Sequence, residues 1–190
     1  MTLPADKELL LKTSIRNILI ALGENPDREG LKGTPDRVAR LYSDVLDGRY
    51  FELPIMTSFK DETYGGMVSV HHFPFYSFCE HHLIPFTGTA AIAYLPAEHT
   101  LGLSKLVRIF RYYCKRITIQ ERLTKQALDA VVKLAQPKGA IVWVRAEHMC
   151  MTLRGVKAPG SLTTTMAYAG EFETNVPLRQ QFIAEAASKL

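Results

Sequence analysis

The feature that most constrains the fold is a change of hydrophobic period near residue 67. Before it, apolar residues recur at helical spacing from Glu8 to Leu22, and Gly23 with Asn25-Pro26 stops that helix. Thr34-Pro35-Asp36-Arg37 reads as a second start, with Thr34 as the cap and Pro35 where a missing N–H costs nothing. That helix is expected to run to about Leu46, with residues 49 to 65 as a loop. After the change, β-rich runs come in adjacent pairs. Met67–Phe75 and Thr87–Leu95 form one pair, and Ala140–Arg154 and Leu162–Phe172 the other. Between them lie two predicted helices, Ser104–Lys115 and Ile119–Ala135, and a closing helix spans Pro177–Lys189. Paired strands around a helical insert predict an α+β fold, an antiparallel sheet with helices on one face. The chain divides into an N-terminal helical region, 1–65, and a sheet-bearing domain, 66–190.

Composition excludes several classes. Apolar residues make up 47% and charged residues 22%, the balance of a chain with a packed core. The net charge of +4 suits an anionic ligand, though plain solubility is the simpler reading of it. The 23 Lys and Arg are scattered rather than gathered into a stripe with stacking aromatics, so no nucleic-acid partner is expected. No apolar run is long enough to span a membrane and no signal peptide is evident. Three cysteines make no disulfide framework, which points to a reducing cytoplasm.

Chemistry concentrates in two segments. Cys79-Glu80-His81-His82 sets a thiol and an imidazole three residues apart, so that one turn can aim both at one ion. A third ligand, Cys150, would come from Glu147-His148-Met149-Cys150. Three protein ligands, rather than the four of structural zinc sites, leave a position for water. His81, beside His82, and His148, two residues before Cys150, are candidates either for moving protons or for orienting a ligand. If 146–154 is extended, His148, Cys150, Thr152 and Arg154 share one face, and Met149, Met151 and Leu153 the core face.

Three further features have competing readings. Gly102-Leu103-Ser104-Lys105 opens a helix on which Lys105 and Arg108 lie one turn apart, an anion site or an ordinary basic surface. Thr118-Ile119-Gln120-Glu121 fits a capping box, though a carboxylate there could also accept the N–H edge of a base. Cys114 falls among Ile109, Phe110 and Tyr113 and is expected to be a buried thiol. His71, His72 and His99 have no companion motif.

Together these segments resemble the GTP cyclohydrolase I family. The likeness is carried by Cys79-Glu80-His81-His82-Leu83-Ile84-Pro85-Phe86, Gly102-Leu103-Ser104-Lys105, Gln120-Glu121-Arg122-Leu123-Thr124, His148-Met149-Cys150-Met151 and Arg154-Gly155. Gly30 to Ala39 looks like the family's N-terminal helical region. The resemblance implies conversion of GTP to 7,8-dihydroneopterin triphosphate with release of formate, the first step of pterin and tetrahydrofolate biosynthesis. It implies zinc on Cys79, His82 and Cys150, proton transfer by His81 and His148, and base recognition by Glu121 with Gln120 nearby. It assigns Ser104, Lys105, Arg108 and Arg154 to the triphosphate or ribose, with Arg37 and Arg40 as further basic contacts. It also implies a tunnelling fold, an antiparallel ββααββ unit, in a homodecamer with sites at subunit boundaries.

Two stretches depart from the family pattern. His71-His72-Phe73-Pro74 replaces a more charged stretch, and Pro74 would interrupt a strand ladder. Met166 to Phe172 looks slightly long. Both bear on strand register rather than on the site. Two rival readings are a tunnelling-fold enzyme with a different reaction on a purine or pterin, and a zinc-stabilised protein that senses GTP without turnover.

Overall fold

The computed structural model describes residues 3–46, 58–59, 65–98 and 100–188. The expected loop at 49–65, the helix stop at Asp47-Gly48 and His99 therefore lie wholly or largely outside the described residues. The chain falls into two units, Met1–Glu52 and Leu53–Leu190.

In the first unit, α1 (Ala5–Ala21) and α2 (Thr34–Val45) pack together. Lys12 of α1 reaches Asp36 of α2 at 2.8 Å, and Arg16 forks onto Asp27 at 2.8 and 2.7 Å. The second helix starts at Thr34, its predicted cap, so the cap itself falls one residue earlier. Gly33 is the N-cap, no side chain caps the end, and the Thr34 hydroxyl instead accepts from Arg37 at 2.7 Å.

The second unit is a mixed α+β body. A small ribbon pairs β1 (Ser58–Phe59) with β4 (Thr100–Leu101). The main sheet runs β5-β2-β3-β6-β7, with β2 (Val68–Cys79), β3 (Pro85–Leu95), β5 (Ile117–Thr118), β6 (Gly139–His148) and β7 (Thr163–Gly170). All its pairings are antiparallel except β5, which joins β2 in parallel at Phe78 and Cys79. The helices α3 (Leu103–Cys114) and α4 (Gln120–Ala135) cover one face, packing Leu106, Phe110 and Leu123 on Phe73, Phe75, Ile92 and Tyr94. Cys114 is buried in that core, as its neighbours predict.

The expectation of helices on one face needs correction. The short α6 (Glu171–Thr174) and α7 (Val176–Ala187) bring Phe172, Phe182 and Ala186 onto Ala91, Ala93, Ile141 and Trp143 of the other face. That is why Ala90 to Leu95 is buried at every position instead of alternating. The departure at 71–74 takes the form of a bulge. Register shifts between Val70 and Phe73, with His72 at φ 55°, and pairing resumes through Pro74 opposite Thr89. Along that stretch β2 has no described partner on its outer side, which is where a sheet tolerates proline.

The predicted strand Ala140–Arg154 fails at its end. β6 stops at His148, and Met149–Thr152 turns into the single helical turn α5. The alternation assumed for 146–154 therefore does not exist. Met149 and Leu153, expected in the core, are 39% and 64% exposed.

Candidate metal and substrate site

Cys79 ends β2, and the chain then reverses tightly into β3. Cys79 N–H donates to Ile84 O at 3.0 Å, and Leu83 N–H donates to Cys79 O at 2.9 Å. Closing the turn puts Leu83 at φ 55°, a conformation costing a non-glycine residue about 1–2 kcal/mol. Glu80 N–H donates to Thr118 O at 3.0 Å, and the Glu80 carboxylate is ion-paired to Arg122 of α4. That pair holds the Glu80 carboxyl below its ordinary range. The turn is thus tied to β5 and to the first turn of α4.

From this turn, His82 faces Cys150 of α5. The ligand atoms of Cys79, His82 and Cys150 lie within 4.8 Å of one another. Two thiols and an imidazole are a donor set suited to zinc, and only small side-chain movements separate this spacing from a tetrahedral arrangement. Burial pushes the Cys150 thiol up, with the neighbouring Cys79 adding to the effect. Arg154 Nη1 donates to His82 Nε2 at 2.9 Å, so α5 delivers both Cys150 and Arg154 through a helical turn and the loop after it. His81 is exposed, its ring 6.3 Å from that of His82 and nearly perpendicular to it.

His148 closes the other side. Its ring lies parallel to Phe86, with centroids 4.6 Å apart, and a 2.8 Å hydrogen bond joins its Nε2 to Gln120 Oε1. Burial lowers its pKa below the ordinary 6.5, partly opposed by the nearby Glu121 carboxylate. Gln120 is 1% exposed, whereas Glu121 points outward from the first turn of α4. The capping-box reading of this segment is not borne out. Ile119 is the N-cap, no side chain caps the helix, and the Thr118 hydroxyl donates to Ile119 O instead. Glu121 is left without that structural duty.

The structure thus gathers Cys79, His82, Cys150, Arg154, His148, Gln120 and Glu121. Ser104, Lys105 and Arg108 lie on the first two turns of α3, the helix that packs against β2. Arg37 and Arg40 belong to α2 in the other unit. Sequence reasoning missed Phe86 as the ring beneath His148 and Arg122 as the partner of Glu80. Both stand inside the quoted motifs, so a signal was there, but nothing local to either shows what it touches.

Two thiols and one imidazole rather than four donors, beside a second imidazole with its own buried partner, have the make-up of a catalytic rather than a structural metal-binding group. The comparisons narrow it. The family model described as GTP cyclohydrolase I matches residues 11–187, so the chain belongs to the GTP cyclohydrolase I family of hydrolases. It is 50% identical over 179 residues to the GTP cyclohydrolase 1 of Clostridioides difficile (strain 630), covering 93% of this chain and 94% of that one. Identity is 47% over 190 residues to the GTP cyclohydrolase 1 of Carboxydothermus hydrogenoformans, with 94% of each covered. It is 45% over 186 residues to that of Caldanaerobacter subterraneus subsp. tengcongensis, covering 97% and 98%. Among solved structures, the archaeosine synthase QueF-Like in the apo form matches 55% of this chain and 93% of that one, with a TM-score of 0.46 and 17% identity. Among the described residues, no helix is long and apolar enough to cross a membrane.

Proposed function

We propose that the chain converts GTP into 7,8-dihydroneopterin triphosphate and formate, with zinc held by Cys79, His82 and Cys150. The observation that carries this reading is the convergence of those three donors from two distant segments, in a chain of this family. Bound there, zinc would supply Lewis-acid activation of water for attack on C8 of the guanine. His81 and His148 move protons as the imidazole ring of the base opens and the formyl carbon leaves. Burial favours neutral His148 at neutral pH, which leaves it ready to accept a proton. Glu121 accepts hydrogen bonds from N1–H and the exocyclic amine of the base. Ser104, Lys105, Arg108 and Arg154 hold the triphosphate or ribose, and Arg37 and Arg40 add basic contacts.

The succession β2, β3, α3, α4, β6, β7 supports a tunnelling-fold ββααββ unit. A site completed between subunits of a decamer is what the family resemblance implies for this chain. The product would feed tetrahydrofolate or other pterin synthesis in the cytoplasm.

The test is incubation of the purified chain with GTP before and after chelation, assaying formate and the pterin fluorescence that appears on oxidation. Both products, abolished by chelation and restored by zinc, are expected. GTP binding with neither product would make the chain a sensor. Formate without fluorescence would stop the reaction at ring opening.

A further inference from the structure

The side-chain amide of Gln120 has an orientation that its surroundings dictate. Its Nε2 lies 3.2 Å from Val144 O, 3.1 Å from Thr163 O and 3.0 Å from Thr165 Oγ1. Two of these are backbone carbonyls, which only accept, so a flipped amide would set oxygen against oxygen twice. The third accepts as well. Thr124 Oγ1 donates its one proton to Gln120 O at 2.8 Å, so across the 2.7 Å Thr124–Thr165 contact Thr165 is the donor. Its proton is thereby used, and toward Gln120 it offers a lone pair. Nε2 must face all three acceptors, and Oε1 must face His148.

An amide oxygen has no proton to give. The 2.8 Å bond between Gln120 Oε1 and His148 Nε2 therefore carries its proton on the imidazole nitrogen. The parallel Phe86 ring holds His148 in that plane, and a ring turned over would present carbon to Gln120. We infer that Gln120 is a positioning residue that holds His148 as its Nε2–H tautomer, so that every proton His148 exchanges passes through Nδ1. This rests on His148 being a proton carrier in the reaction proposed above. In the neutral ring the lone pair is on Nδ1. A proton taken there gives an imidazolium with both nitrogens protonated, and its return regenerates the same tautomer. The Nε2–H bond is never broken. With its amide engaged at both ends and only 1% exposed, Gln120 serves His148 rather than the base that the family resemblance places near it.

The test uses the zinc-loaded full chain with histidine-selective 15N labelling and magic-angle-spinning spectra at neutral pH. The His148 signals are assigned by their loss in His148→Ala. A protonated Nε2 with a bare Nδ1 is expected in the wild type, and the opposite tautomer overturns the inference without any Gln120 variant being needed. In Gln120→Leu the Nδ1–H form should appear and kcat should fall about 100-fold, within the range for a general base, with KM for GTP and zinc content little changed. An unchanged tautomer in Gln120→Leu would overturn the inference. A wild-type chain that releases no formate would remove the proposed reaction, while the spectra still decide what Gln120 does to His148.

Discussion

Cys150 and His148 stand two positions apart, yet the backbone uses them differently. His148 is the last residue of β6, and Cys150 sits in the helical turn that follows. Residue types alone were enough to pick out both, because thiols and imidazoles near each other have few other purposes. Their relative aim was not legible, since Met149-Cys150-Met151-Thr152 fits a strand or a turn equally well by pattern. Removing each should give different results. Cys150→Ala should lose stoichiometric zinc, read by atomic absorption after gel filtration, and retained zinc would take Cys150 out of the ligand set. His148→Ala should keep zinc and GTP binding while turnover falls by about 10²–10⁴, the usual worth of a general acid or base. Gln120 was harder to read from the chain, because its Nε2 acceptors lie 24, 43 and 45 residues away.

At the scale of elements, helices and strands were legible almost throughout because their periods are local. The ends were not, because tertiary contacts decide them. The close approach of β3 and β6 is one such contact. A Cβ at Gly88 would lie 2.0 Å from Arg145 O and 2.6 Å from Ala146 Cα, both backbone atoms that cannot swing aside. Gly88→Ala should therefore cost about 1–3 kcal/mol in denaturant unfolding, by the scale of overpacking. It should also weaken zinc retention, since the same ladder aligns Phe86 with His148. The bulge in β2 makes a separate prediction. His71 Nε2 lies 3.1 Å from Glu185 of α7, and its ring packs 5.4 Å from Phe182. Burial holds its pKa below the ordinary 6.5, with Glu185 opposing and His72 adding slightly. The unfolded chain then binds the proton more readily, so this contribution to stability is present above pH 6.5 and is lost as pH falls through the lower folded value. Unfolding midpoints measured from pH 7 to 5 should decline in the wild type and decline less in His71→Phe. Equal slopes would clear His71 of the effect.

For the whole molecule, the prediction concerns assembly. Light scattering should give a mass near a tenfold multiple of the 21.3 kDa chain, and a monomer that turns over GTP would end the idea of a site shared between subunits. Nothing in composition or period speaks to that, because surfaces buried only between copies read like any other surface. Chain order carries another consequence. Cys79 precedes and Cys150 follows all of β3, α3, α4 and β6, so whatever joins these two residues clasps most of the second unit into a ring. A metal ion held there would be one clasp, and a sulfur–sulfur bond formed by an oxidant after chelation would be another, given the spacing of the two thiols. The second would preserve the ring while consuming two ligands. Enzyme aged in air would then pass a melting assay as sound material and fail every activity assay, so for this protein shelf life must be judged by counting free thiols.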